Sequence, residues 1–268
     1  MSERYDCKDA AQRATGIVEA ATSLRKGDLV VMPTDTVYGL AADAFSPAAV
    51  AGLLAAKGRG RQMPPPVLVG TVRAATALVE GLNESGKDLI EEFWPGALTL
   101  VLRANRNLIW DLGDTKGTVA VRMPLQEIAL ELLKEVGPLA VSSANLSGAP
   151  PATTAAAAQE QLGDAVAVYL DGGPCPGDAA STIVDLTSPV PRLLRAGAIS
   201  VERLRQVITL AVDDDGMLDQ DGAPAPAEEA RPAGDDAQPP GDDAQPPGDD
   251  APPAGDAAPP GGDGTAAG

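Results

Sequence analysis

The run DLVVM (28–32) followed at once by PTDTVYGL (33–40) decides the class of fold. Four apolar side chains in a row, closed by Pro33, read as a strand buried on both faces, because the run is too short for a helix. The polar residues that follow, Thr34, Asp35 and Thr36, then stand at the strand's carboxyl end, where open α/β sheets bind their ligands. A turn held by local side-chain to backbone bonds is the alternative reading of the same residues.

Working outward, a helix is expected from Ala10 to Leu24, ending near Gly27. Ser46-Pro47 form an N-cap and first-turn pair that opens a helix through Val50, Leu53 and Leu54 to Lys57. Residues 58–66 hold two glycines and three consecutive prolines, so they form a loop. Further strands are expected at 67–69, 98–102, 119–121, 139–141, 166–170, 182–185 and 192–194. Further helices are expected at 74–82, 84–94, 126–136, 153–162 and 200–210. About eight strands and seven helices make an α/β domain with a twisted, mixed sheet flanked by helices. The strands from 166 to 194 follow one another without helices, which excludes pure βαβ winding.

Charge divides the 268 residues. The chain carries a net charge of -18, and from Asp213 to the end there are 15 acidic residues against Arg231 alone, a net of -14 that leaves -4 for residues 1–212. That tail repeats Gly-Asp-Asp-Ala at 234, 241 and 248 and consists mostly of Ala, Pro, Gly and Asp. No repeat carries an apolar pair to bury and each is broken by proline, so a coiled coil is excluded and a disordered acidic tail over 213–268 is expected. Residues 1–212 suffice for one domain.

Cys7 and Cys175 are far apart and form no metal-binding pair, which fits a reducing compartment. The N-terminus lacks an apolar signal region and no apolar stretch could span a bilayer, so a cytoplasmic protein is expected. There is no histidine in the chain, which excludes Ser-His-Asp and Cys-His hydrolases and every His-ligated metal. Its chemistry must rest on hydroxyls, amides, carboxylates and cations.

Beyond Thr34 and Thr36, four segments concentrate such groups. Lys57-Gly58-Arg59-Gly60-Arg61 sets three cations at a helix end, favourable to its dipole but also suited to a triphosphate; it is not a P-loop, since GxxxxGK[ST] is absent. Thr118 to Arg122 puts Thr118, Ala120 and Arg122 on one strand face, and a strand-end arginine needs an anionic partner. Val141 to Gly148 places Ser142, Ser143, Asn145 and Ser147 straight after a buried strand, as donors for phosphate or carboxylate oxygens. Ser181 to Asp185 and Leu193 to Gly197 add hydroxyls and Arg195 at strand boundaries.

In order and spacing, PTDTVYGL, the KxR of Lys57 and Arg59, VRMP (121–124), SSANLSG (142–148), STIVD (181–185) and LRAG (194–197) resemble the threonylcarbamoyl-AMP synthases of the YrdC-like family, over about residues 10–212. The resemblance implies a twisted α/β fold with a concave, cationic cavity. It implies synthesis of L-threonylcarbamoyladenylate from L-threonine, bicarbonate and ATP with release of pyrophosphate, for threonylcarbamoyladenosine modification of tRNA. Mg²⁺ is expected with the ATP, and tRNA threonylcarbamoyl-transfer proteins as partners. By motif, Thr34, Thr36, Arg122 and Ser181 would hold threonine. Lys57, Arg59, Thr118, Ser143, Asn145 and Arg195 would surround the nucleotide, with Lys57 and Arg59 as the catalytic pair and no metal ligand from the protein. Many relatives carry a histidine where this chain has Leu68-Val69-Gly70. Longer members carry a second globular domain where this chain has its acidic tail.

Two other readings compete. An RNA-binding module needs several phosphate contacts from a basic face, which the negative charge opposes, so no stable direct tRNA binding is expected. A carbamoyl-transfer domain of the hydrogenase-maturation kind comes within a longer chain bearing zinc-finger-like Cys motifs, and none is present here.

Overall fold

The computed structural model describes residues 2–175 and 179–212; the acidic tail expected over 213–268 lies outside the described residues. In chain order the strands are β1 Glu3–Asp6, β2 Val30–Met32, β3 Gly39–Asp43, β4 Val67–Leu68, β5 Leu98–Arg103, β6 Thr118–Arg122, β7 Leu139–Ser143, β8 Val168–Asp171, β9 Thr182–Asp185 and β10 Arg192–Arg195. The helices are α1 Ala10–Lys26, α2 Pro47–Lys57, α3 Val72–Leu78, α4 Glu84–Phe93, α5 Glu127–Val136, α6 Ala155–Leu162 and α7 Val201–Arg205.

All ten strands join one sheet in the order β1-β8-β2-β3-β7-β4-β6-β5-β9-β10. Parallel pairs (β1/β8, β2/β8, β4/β6, β5/β9) and antiparallel ones (β2/β3, β3/β7, β4/β7, β5/β6, β9/β10) occur together, so the sheet is mixed, as the sequence indicates.

Local signals set the helix ends. The Asp9 carboxylate accepts from the Gln12 amide at 2.8 Å and starts α1. Ser46 caps α2 with Pro47 in its first turn, and Gly58 at φ 68° ends it in the left-handed conformation, which turns the chain into the loop that borders the site. Two expected helices are shorter. α3 stops at Leu78 because Val79 pairs with Ala104 in an isolated bridge, and the Glu80 amide bonds the Arg103 carbonyl at 3.0 Å. α7 stops at Arg205, although Ile208 and Leu210 continue into the core.

Helices cover the sheet in three groups. α1 and α5 pack Ile17, Leu24, Leu132 and Leu133 on Val30, Met32 and Leu170. α2 and α6 pack Leu53, Ala155 and Leu162 on Val31, Leu40 and Tyr169. α3, α4 and α7 cover β5, β6 and β9 on one side, burying Leu89, Phe93 and Leu204 against Leu98, Leu100, Val121 and Val184. The other side of these three strands carries no helix from this set, and a cavity opens there. No helix among the described residues is long and apolar enough to cross a membrane.

Candidate active site

Alternation along three adjacent strands builds the floor of that cavity. Thr99 and Val101 of β5, Thr118, Ala120 and Arg122 of β6 and Ile183 of β9 face it, while their neighbours Leu98, Leu100, Val121 and Val184 enter the helix-covered core. The loop after β2 (Thr34, Thr36), the loop after α2 (Arg59, Met63, Pro64), the end of β7 (Ser142, Ser143) and the β5/β6 loop (Leu112, Asp114, Thr115, Lys116) supply the walls. The enclosed volume is about 470 Å³, the size of a small-ligand site.

The cavity lies across one face of the sheet and is not confined to its carboxyl edge. Thr34, Thr36 and Ser143 do follow their strands, but Thr118 begins β6 and Ser181 precedes β9. The expectation of an edge site is corrected by the mixed sheet: with neighbouring strands reversed, ends and beginnings of strands meet on one side.

At the buried end, Arg122 is 6% exposed. Its Nη2 donates to Asp35 Oδ1 at 2.5 Å, Nη1 to Thr36 Oγ1 at 3.1 Å and Nε to the Gly96 carbonyl at 3.0 Å. Burial pushes its pKa below the ordinary arginine value, while the Asp35 carboxylate acts in the opposite direction. Thr34 and Thr36 hydroxyls lie 3.0 Å apart, and Thr34 Oγ1 donates to the Val37 carbonyl at 2.6 Å. The proton between the two threonines is therefore Thr36's to give. Ser181 Oγ meets Thr99 Oγ1 at 2.8 Å and accepts from Arg195 Nη2 at 2.9 Å; Arg195 Nε also donates to the Ser181 carbonyl at 2.9 Å.

On the wall formed by the end of β7, Arg59 Nη1 donates to Ser142 Oγ at 3.2 Å and Nε to Ser147 Oγ at 3.0 Å. Behind this wall lies Lys57, 1% exposed. Its Nζ donates to the Ser143 carbonyl at 2.6 Å, the Asn145 carbonyl at 2.7 Å and Asn145 Oδ1 at 3.1 Å. The Asn145 amide nitrogen in turn holds the Leu146 and Ala149 carbonyls at 2.9 and 2.7 Å. Of the ten residues singled out by motif, Thr34, Thr36, Arg59, Thr118, Arg122, Ser143, Ser181 and Arg195 line the cavity. Lys57 and Asn145 do not; they shape the turn that carries Ser143.

Asp35, Thr99 and Arg61 lie outside those ten residues. Asp35 is the anion that Arg122 requires, and the need for a carboxylate beside a strand-end arginine was the available signal. Thr99 was hidden as one hydroxyl in an apolar strand. Arg61, grouped with the other two cations, points elsewhere: it makes a two-pronged ion pair with Asp111 at 2.8 and 2.9 Å, tying the loop after α2 to the β5/β6 loop. Cys7 and Cys175 are both free, and burial pushes each thiol up to about 11, so neither is a ready nucleophile.

A family model described as "Telomere recombination", covering Sua5, YciO and YrdC, matches residues 22–197. A Mycobacterium tuberculosis protein, provisionally named a threonylcarbamoyl-AMP synthase, is 57% identical over 208 residues, 78% of this chain and 96% of the relative. The threonylcarbamoyl-AMP synthase of Bacillus subtilis is 39% identical over 211 residues, 78% of this chain and 61% of that protein. Among solved structures, Pyrococcus abyssi Sua5 complexed with L-threonine superposes with a TM-score of 0.73 at 35% identity, covering 80% of this chain and 64% of that one.

Proposed function

The chain belongs to the Sua5/YciO/YrdC family, and we propose that it makes L-threonylcarbamoyladenylate from L-threonine, bicarbonate and ATP, releasing pyrophosphate, for the threonylcarbamoyladenosine modification of tRNA. Residues 1–212 form the catalytic domain, with the acidic tail as an appendage. The observation that carries the reading is the meeting, in one histidine-free cavity, of the hydroxyls Thr34, Thr36 and Ser181 and the cation Arg122 with Arg59, Thr118, Ser143 and Arg195.

Both nucleophile and leaving group come from the substrates. The threonine amine bonds to the carbon of CO₂, supplied by bicarbonate, and loses a proton to give a carbamate. A carbamate oxygen then attacks the α-phosphorus of ATP, the bond from that phosphorus to the bridging oxygen breaks, and pyrophosphate leaves. The protein supplies alignment and charge, which together account for several kcal/mol of such a barrier. Thr34, Thr36, Arg122 and Ser181 hold threonine at the buried end. Arg59, Thr118, Ser143 and Arg195 hold the nucleotide, with Arg59 as the catalytic cation of the motif. Lys57 and Asn145 act through the Ser143 turn as positioning residues.

Mg²⁺ enters with ATP as part of the substrate. No group of three or more acidic, Cys or His side chains able to hold a metal occurs among the described residues, and Asp35 is engaged by Arg122. The product is a reactive mixed anhydride, to be handed to tRNA threonylcarbamoyl-transfer proteins in the cytoplasm. The net charge of -18 opposes a stable direct complex with tRNA. Incubation with ¹³C-bicarbonate, threonine and MgATP tests the reaction. An adenylate bearing one ¹³C and one threonine is expected by mass spectrometry; AMP without that adduct would refute it.

A further inference from the structure

We propose that Lys116 is a further substrate-contacting residue, pairing with the terminal phosphates of ATP; the inference rests on the reading of this cavity as the ATP site. Lys116 lines the cavity from the β5/β6 loop. It lies two residues before Thr118, where β6 begins, and β6 runs four residues on to Arg122, about 13 Å at the usual strand rise. Lys116 thus stands away from the Arg122–Asp35 pair, beside Thr118, which the functional reading assigns to the nucleotide.

Its backbone makes the residue type informative. Lys116 has φ 52°, the one positive φ of a non-glycine residue among the described residues, and it precedes Gly117 at φ 78°. Glycine would adopt this conformation without cost, whereas a residue with a Cβ adopts it at a penalty. The loop nevertheless fixes it: the Thr118 amide and hydroxyl both bond the Thr115 carbonyl, at 3.0 and 2.8 Å. A strained position held by its surroundings is a marker of function when the side chain has somewhere to act.

The side chain has no internal use. Arg59, Arg122 and Arg195 each bond the protein's own oxygens. Lys116 makes no hydrogen bond or ion pair among the described residues, and its neighbour Asp114 lies 3.5 Å from Arg61 Nε. The Arg61–Asp111 ion pair holds this loop against the loop after α2, and Lys116, exposed and among the residues that line the cavity, has no internal anion as partner among the described residues. Charge builds up on departing pyrophosphate, and a positioned cation stabilises it.

The test is calorimetric titration of the full chain with MgATP and, separately, AMP, for wild type, Lys116→Gly and Lys116→Arg. Lys116→Gly relieves the backbone and removes the charge. It is expected to weaken ATP binding about tenfold, as for loss of one charge-assisted contact, and AMP binding less than twofold. Lys116→Arg should restore ATP binding. Unchanged ATP affinity in Lys116→Gly, or an equal loss for ATP and AMP, would overturn the inference. A wild-type chain that binds no ATP would end the functional reading itself, whereas ATP binding indifferent to Lys116 would end only this proposal.

Discussion

Lys57 Nζ lies 2.6 Å from the carbonyl oxygen of Ser143, so the lysine of the KxR motif grips the backbone of the turn that faces the cavity. Lys57→Met would leave that carbonyl, the Asn145 carbonyl and Asn145 Oδ1 buried without their donor. A stability loss of roughly 2–4 kcal/mol is expected, together with loss of activity. Arg59→Ala, at a half-buried residue, should abolish activity at a stability cost of about 1 kcal/mol or less. Urea denaturation with steady-state rates separates the two. A Lys57→Met protein as stable as wild type would contradict the positioning role.

The Arg122–Asp35 pair yields a second contrast. Removing Asp35 strands a buried guanidinium, so Asp35→Ala should cost about 3–5 kcal/mol. Replacing both members, as Asp35→Ala with Arg122→Met, should recover much of that stability while leaving threonine-dependent activity absent. Denaturation midpoints of the single and double variants make the measurement.

Stability should respond to alkali and not to neutral pH. Burial pushes Cys7 and Cys175 up to about 11 and Tyr169 up to about 12, and it raises Tyr38 as well. The unfolded chain releases these protons at roughly pH 8.5–10. Between the unfolded and folded values the native state binds more protons, so this stability is complete below the unfolded values and is lost as pH rises through the folded ones. With no histidine to titrate, the thermal midpoint should be level from about pH 6 to 8 and fall above about pH 9. A step near pH 6.5 would contradict this.

Gly113 has φ 105°, and a Cβ there would lie 2.6 Å from the Arg61 carbonyl oxygen. Gly113→Ala should separate the two loops that the Arg61–Asp111 pair joins, costing about 1–3 kcal/mol and raising the KM for ATP more than that for threonine. Kinetics with each substrate varied in turn would show the difference.

Much of the fold was legible because long apolar and amphipathic runs report their own period. The strands that escaped carry weak side-chain signals. β1, Glu-Arg-Tyr-Asp, is polar and joins the sheet edge through its backbone beside β8. β3, Gly-Leu-Ala-Ala-Asp, is small and apolar and lay concealed behind the threonine-rich turn. At the site, motif spacing picked out residues that the fold brings together, but could not tell wall from support. Lys57 and Arg59 are two residues apart in sequence, yet one faces a protein cage and the other the cavity, because Gly58 turns the chain between them. Lys116 left no trace in composition or motif; only its backbone conformation and lack of a partner draw attention to it.

Pyrophosphate release from MgATP, followed with threonine and bicarbonate each present or omitted, tests most directly the claim that the cavity aligns three small reactants. Release is expected only when both are supplied, and none is expected from Arg59→Ala. Release that proceeds equally without threonine would contradict it.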